Sequence, residues 1–478
     1  MSRRFPSPVR THDRFTGLLA AAAMGVYLLI IVGATTAVTG AADACPTWPA
    51  CNGQWLVPLS EPDLVVAWGH RVVALVVGFL AVATALAAWL GDVDRRVTTA
   101  VVLSALLYPL QVGLGALAAT AGTTALLSSV HLLVGVAIFT GLVVALAWTL
   151  EAETATDHDW ETVPEPTVVG SGTETTAEPC ELPSGGFQRA KLVANAYFRM
   201  MKPRLMWLLC LVAGAAMALG AATTGTDLAV ETIVLTLLGG VLSIGASGTF
   251  NHVLERDVDR RMQRTSDRPL AVDVISVRNA LAFGFFLVTA SLVVFAQVNL
   301  LVAALGLVAI AFYSIVYTLL LKPNTVQNTV IGGAAGALPA LIGSAAVDGR
   351  IGLPGIVLAT VIFLWTPAHF YNLALAYKED YARGGFPMMP VVHGEAVTRK
   401  HILWYLAATL VGASALSAVA DLGLLYALVS AGLGTVFLWM VVRLHREQTT
   451  DAAFRAFHAS NAYLGALLAA VVVDSLVV

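Results

Sequence analysis

Two long stretches of this chain, residues 15–42 and residues 97–150, contain no Asp, Glu, Lys or Arg. About 20 apolar residues suffice for a helix to cross a bilayer, so such runs fold as membrane spans. The second stretch is long enough to cross, turn at Ala121-Gly122-Thr123 and cross back, because Gly punctuates helices. The first is too long for a signal-peptide core and has no convincing cleavage site, so it reads as a true span. Similar runs recur at about 16–41, 64–90, 98–119 and 125–148, then at about 205–224, 230–252, 278–297, 299–321, 327–346, 353–376, 402–420, 423–443 and 456–477. The expected fold is all-α: a multi-pass transmembrane helical bundle of about 13 spans, four and then nine. A net charge of −3 leaves no basic patch outside the membrane, so nucleic acid is not an expected partner.

Residues 151–187 interrupt the apolar pattern. They hold nine acidic residues, no Lys or Arg, and many Thr, Pro and Gly. Such a segment cannot bury a core and reads as a disordered linker. Three parts follow: a four-span unit over 1–150, the acidic linker over 151–187, and a nine-span domain over 188–478. The basic residues fall in alternate loops: Arg3, Arg4, Arg10 and Arg14; Arg95 and Arg96; Lys191, Arg199, Lys202 and Arg204; Arg256 to Arg268; Lys322; Lys378 and Arg383; Arg399 and Lys400; Arg443 and Arg446. Arg350 is the exception. By the positive-inside rule the rich side is the cytoplasm. The expected location is the cell membrane, with the N-terminus and the charged loops cytoplasmic.

One of those loops is unusually charged. Residues 251–268 read NHVLERDVDRRMQRTSDR, and nine of the eighteen are charged. Asn251, Glu255 and Asp259 are spaced i, i+4, i+8 and share one face of a helix. An amide oxygen and two carboxylates suit a hard cation such as Mg²⁺, which keeps waters and substrate phosphates in its shell. Asp257 points elsewhere on a straight helix. Arg256, Arg264 and Arg268, with Arg260 and Arg261, add guanidinium forks that match phosphate oxygens. Together these describe a diphosphate site. The alternative is a solvated loop obeying the positive-inside rule, which explains the Arg but not the acidic face.

A second cluster on the same side reads Tyr377-Lys378-Glu379-Asp380-Tyr381 with Arg383 and Gly384-Gly385-Phe386-Pro387. Glu379 and Asp380 could hold a second Mg²⁺ on the same diphosphate, with Lys378 beside them. Lys322, at the end of another span, could neutralise the leaving group. Metal and cations would stabilise diphosphate as it departs. An allylic diphosphate is the natural substrate, because its cation is resonance-stabilised. In this reading Asn251, Glu255, Asp257, Asp259, Lys322 and Asp380 form the catalytic set.

These residues carry a resemblance. Asn251, Glu255, Asp257 and Asp259, continuing through Met262, Arg264 and Thr265 to Arg268-Pro269, resemble the first signature of the UbiA superfamily of membrane prenyltransferases. The ending M-x-R-T-x-x-R-P is similar to the heme O synthase, or protoheme IX farnesyltransferase, branch. Tyr317-Thr318 to Lys322, Asn328 to Gly333, Gly336 to Pro339, Trp365-Thr-Pro-Ala-His369-Phe370, and Glu379-Asp380-Tyr381 with Pro387-Met-Met-Pro390 agree with that branch. The resemblance covers roughly 190–478, with Glu255 standing where the family usually has Asp. It implies that farnesyl diphosphate alkylates a vinyl group of heme B, water completes the addition, and heme O results. His369, in an apolar span, could ligate or orient that heme, or could be a structural His bonded inside the bundle.

The first unit carries Cys45-Pro-Thr-Trp-Pro-Ala-Cys51 in its first outer loop. On an oxidising side these two Cys can close a disulfide; two free thiols are the alternative. Cys180 and Cys210 read as unpaired. His70 and His131 sit at matched depth, roughly 10 Å into two spans, as bis-imidazole heme ligation requires; two buried structural His would look the same. The Cys loop with Asn52-Gly-Gln-Trp55, His70-Arg71 and Val130 to Leu133 resembles one half of heme A synthase, a family of two four-helix halves. This chain has one half, and Ala67 stands where that family tends to place Glu. A homo-oligomer through this unit could restore two heme sites. The competing readings are a prenyltransferase acting on a quinone or a lipid head, and a heme-bearing electron carrier or cation-coupled transporter. A carrier needs no paired acidic loops, and the internal repeat of a transporter is not evident.

Overall fold

The computed structural model describes residues 8–38, 40–122, 124–154 and 185–477. Most of the expected linker, Cys180, Arg3, Arg4 and Thr123 of the proposed turn lie outside the described residues. The helices, in order, are α1 (Pro8–Val38), α2 (Pro62–Leu90), α3 (Arg95–Ala121), α4 (Ala125–Thr154), α5 (Gly186–Met200), α6 (Pro203–Thr224), α7 (Val230–Leu254), α8 (Arg256–Asp259), α9 (Val277–Val298), α10 (Leu300–Ala311), α11 (Lys322–Asn324), α12 (Asn328–Asp348), α13 (Leu353–Ala376), α14 (Lys378–Arg383), α15 (Met389–Val392), α16 (Gly394–Val419), α17 (Leu424–Glu447) and α18 (Thr450–Val477). A π-helical run, Phe312–Leu321, joins α10 to α11. Thirteen of these segments are long and apolar enough to cross a membrane, matching the four and nine expected.

The chain divides into two compact units. Unit 1 joins Met1–Thr156 to Arg399–Tyr463; unit 2 joins Asp157–Thr398 to Leu464–Val478.

In unit 1 the buried pair among the N-terminal helices is α1 and α4. Leu19, Ala22, Ala23, Tyr27 and Ile31 are buried on α1, as are Phe139, Leu142 and Leu146 on α4. Helices α2 and α3 expose large apolar residues instead, including Leu75, Phe79, Leu103 and Leu106. Lipid tails are as apolar as these side chains, so such faces are at home in a bilayer.

Unit 2 is held by small residues that let helices touch. A Cβ added at Gly343 of α12 would lie 2.2 Å from the Ala213 carbonyl of α6, so only Gly fits. Phe295 of α9 is wedged between Gly239 of α7 and Gly306 of α10, each of which would place a Cβ 2.5 Å from its ring. Where apolar surface gives little driving force between helices, this close packing supplies cohesion.

The π-helical run carries Tyr313 and Thr318 and is followed directly by Lys322. Such bulges are rare and frequent at functional sites.

Candidate active site

Helix α7 ends one residue before Glu255, whose φ of −99° and ψ of 5° break the helix, and α8 adds a single turn. The straight helix expected from the spacing is therefore kinked. The i+4 spacing survives the kink: the Glu255 amide donates to the Asn251 carbonyl at 2.9 Å, and the Asp259 amide donates to the Glu255 carbonyl at 2.7 Å. Asn251, Glu255 and Asp259 are all buried, at 2%, 5% and 2% exposure. Each meets a cation. Lys202 donates to Asn251 Oδ1. Lys322 donates to Glu255 Oε1 at 2.5 Å. Arg268 donates to both Asp259 oxygens at 2.7 and 2.8 Å and lies 3.5 Å from Glu255 Oε2. Lys202 also donates to Tyr313 Oη at 3.1 Å, and Asn251 Nδ2 donates to Thr318 Oγ1 at 3.3 Å. Three cations thus surround two carboxylates, leaving a positive excess suited to a polyanion.

Burial pushes the Glu255 carboxyl up, but Lys322, Lys202 and Arg268 hold it down at about 2. Burial raises Asp259 more than Arg268 lowers it. Lys202 is lowered to about 7, first by burial and then by Arg268 and Lys322, against the pull of Glu255 and Asp259.

The donor set fits a hard cation, since amide and carboxylate oxygens line one wall. Among the described residues no three His, Cys, Asp or Glu side chains converge as a metal-holding group. A cation here would therefore take Asn251, Glu255 and Asp259, with the remaining ligands from diphosphate and water.

Several expected members are placed elsewhere. Asp257 is exposed, off the acidic face. Arg256 donates to the Leu270 carbonyl and, at 2.6 Å, to Asp273, which also receives Arg260; it braces the loop rather than facing the cluster. Asp380 is buried and accepts from the Gln263 and Arg264 amides at 3.1 and 3.0 Å and from Arg383. Through these bonds it clamps the 263–264 turn of the first loop. Burial raises its carboxyl, and Arg383 with the two amides lowers it further, to a net value below the usual range. Glu379 is exposed, and Lys378 pairs with Glu395 at 3.1 Å. The Arg264 guanidinium lies over the Tyr377 and Tyr381 rings, 5.0 and 5.5 Å from their centroids. Lys322 is 4.4 Å from the Phe386 ring centroid. His369 is buried and stacked on Trp365, with centroids 4.2 Å apart.

In the sequence Lys202 is one positive-inside residue among many and Tyr313 one aromatic within a span. Both stand at the polar end of an apolar cavity lined by Leu205, Leu209, Leu237, Ile244 and Ile342. Ser247, Ser243, Gly240 and Thr236 mark its course along α7, about 16 Å at 1.5 Å per residue. His252, which no spacing singles out, is buried next to Asn251, and its Nδ1 has no hydrogen-bond partner.

In unit 1, Cys45 and Cys51 are disulfide-bonded, with Cα atoms 5.1 Å apart. Arg71 donates to the Thr47 and Cys45 carbonyls, each at 2.6 Å, fixing this loop against the helix that bears His70. The Nδ1 atoms of His70 and His131 are buried without a partner. Each ring lies against a glycine: a Cβ at Gly33 would be 3.2 Å from His70 Cε1, and one at Gly115 would be 3.2 Å from His131 Cε1. Gln111 Nε2 lies 3.3 Å from His131 Nε2. Two buried imidazoles with unspent nitrogens fit a ring-ligated prosthetic group.

An all-helical membrane bundle with carboxylates, an amide and surplus cations at the mouth of an apolar channel defines an intramembrane prenyltransferase. Residues 207–465 match the UbiA prenyltransferase family, and residues 16–170 match COX15-CtaA, the cytochrome oxidase assembly proteins. The protoheme IX farnesyltransferase of Haloarcula marismortui is 62% identical over 97% of this chain and 98% of that relative. A shorter relative of the same name from Saccharopolyspora erythraea is 42% identical over 60% of this chain and 91% of its own length. A solved digeranylgeranylglyceryl phosphate synthase superposes with a TM-score of 0.50 at 15% identity, over 60% of this chain and 99% of that one, which speaks for the fold alone. The chain belongs to the UbiA prenyltransferase family, in its protoheme IX farnesyltransferase branch.

Proposed function

We propose that the chain transfers a farnesyl group from farnesyl diphosphate to a vinyl group of heme B, giving heme O for heme–copper oxidases. The observation that carries this reading is the cluster of Asn251, Glu255, Asp259, Lys202, Lys322 and Arg268 at the polar mouth of an apolar channel. The names of the full-length relatives favour heme B as acceptor. The acidic loops face the cytoplasm in this reading, as the basic loops demand.

The diphosphate enters against Lys202, Lys322 and Arg268, while the isoprenoid tail lies along α7. Mg²⁺, held by Asn251, Glu255 and Asp259, would neutralise charge on the diphosphate. The allylic C–O bond breaks with its electron pair leaving on diphosphate, where the cations stabilise the developing charge. Buried among protein groups rather than in water, they act more strongly than they would outside. The vinyl π electrons form the new C–C bond. Water adds to the resulting cation and releases a proton, so the product gains a farnesyl group and a hydroxyl. In this reading Arg264, held over Tyr377 and Tyr381, serves the diphosphate, and His369, stacked on Trp365, serves the heme acceptor.

In unit 1 His70 and His131 would hold a bound heme, with Gln111 placed to orient His131. The loss of the Glu position at Ala67 argues that this half binds heme without the full heme A synthase chemistry.

Incubating the purified protein with heme B, farnesyl diphosphate and Mg²⁺ and separating the extracted hemes by mass tests the reading. A heme heavier by farnesyl plus water supports it. Unchanged heme B alongside a prenylated quinone or lipid would replace it.

A further inference from the structure

Unit 1 does not follow the division that the family matches draw along the sequence. Its N-terminal helices, within the COX15-CtaA match, share one compact body with residues 399–463, which fall within the UbiA match. The contact runs from α1 and α4 onto α17, and reaches α16 through Thr35 with Ser417 and Glu151 with Lys400. Mid-span, Tyr27 Oη and Ser430 Oγ are 2.6 Å apart, both fully buried, and Tyr463 Oη lies 3.4 Å from the same Ser430. Gly434, one turn beyond Ser430, lets Leu410 of α16 pack close against α17; a Cβ there would be 2.8 Å from Leu410 Cδ2, with Tyr27 Cε1 in ordinary contact at 3.8 Å. Thr35 and Ser417 hydroxyls lie 3.5 Å apart. At the ends of the helices, Lys400 pairs with Glu151 at 2.7 Å, and Arg446 lies 3.7 Å from Glu153.

Apolar contact gives little net attraction between helices in lipid, so association rests on close packing, buried hydrogen bonds and ion pairs. All three are present, and they join segments far apart in sequence. They also explain why α1 and α4 are the buried helices of the N-terminal four, while α2 and α3 are left open.

We propose that α1 and α4 are a noncovalent docking surface for α16 and α17. The N-terminal bundle is then a fixed subunit of the prenyltransferase, and the connecting segment is dispensable for assembly. This holds whichever acceptor the enzyme uses.

The test keeps the full chain. A protease site is placed between residues 157 and 184 and an affinity tag at the C-terminus. The protein is purified uncut in mild detergent, cleaved to completion and captured by the tag. We expect the N-terminal fragment to be retained at one per tagged fragment. Tyr27→Phe, which removes one oxygen, and Lys400→Glu should each speed its loss roughly three- to tenfold. Combining Lys400→Glu with Glu151→Lys should restore retention. Release of the fragment from the cleaved parent protein would overturn the proposal. So would retention indifferent to both single substitutions, or a charge swap that restores nothing.

Discussion

Lys202 holds a left-handed backbone, φ 57°, immediately before Pro203 opens α6. Non-glycine residues take this conformation at a cost, and it turns the side chain into the site. Its burial beside Arg268 and Lys322 brings the ammonium down to about 7 from an ordinary 10.5. Between those values the unfolded chain binds the proton and the folded one does not, so stability rises with pH across that window. Diphosphate binding runs the other way, because the neutral amine attracts no anion. The KM for the allylic diphosphate should therefore climb as pH rises through about 7, with kcat changing less. Lys202→Met should raise KM at pH 6 by about ten- to a hundredfold, the size of a lost charge-assisted hydrogen bond, and abolish the pH trend. Lys202→Arg should keep KM low and flat. Asp259→Ala should abolish transfer while the protein stays membrane-inserted; near-normal turnover in a heme product assay would remove Asp259 from the site.

The kinked α7–α8 element is shaped from outside itself. Gly248 lets the turn before α6 press against α7; a Cβ there would sit 2.7 Å from the Met200 carbonyl. Backbone cannot yield as a flexible side chain can, so Gly248→Ala should displace Lys202 and raise KM much as its substitution does. On the other flank, Asp380 clamps the 263–264 turn. Asp380→Asn should lower unfolding stability by about 1.5–3 kcal/mol through weakened charged hydrogen bonds and reduce kcat as well. The folded carboxyl lies below its unfolded value, so the clamp is fully engaged above the ordinary Asp range and is lost as pH falls beneath it. Thermal melts of both proteins from pH 7 toward pH 3 should converge. A parallel offset across that range would assign the loss to packing instead.

At the scale of the whole molecule, His70 and His131 belong to one unit and Asn251, Glu255 and Asp259 to the other. His131→Ala should remove a low-spin heme absorbance from the purified protein while leaving farnesylation of added heme B intact; loss of both would mean that the units are functionally inseparable. Thirteen spans, an all-α fold and the acidic face of Asn251, Glu255 and Asp259 were legible in the sequence, because hydropathy and helical spacing are local and repeat along the chain. Glu255, Asp259, Lys322 and Arg268 could be nominated from charge alone. What charge alone could not do was pair them. Arg256 and Arg268 look alike in sequence, yet one braces Asp273 and the other grips Asp259. Asp380 and Asp259 look alike too, yet backbone amides consume the first. Lys202 became a site residue only because α5, α6 and α7 pack around it, and residues 399–463 joined the N-terminal helices only through Tyr27, Ser430 and their neighbours. The sequence by itself determined which segments enter the membrane and which residue types could serve the site. Tertiary structure decided which of them meet, because partnership between charges depends on distances across helices, which no local pattern encodes.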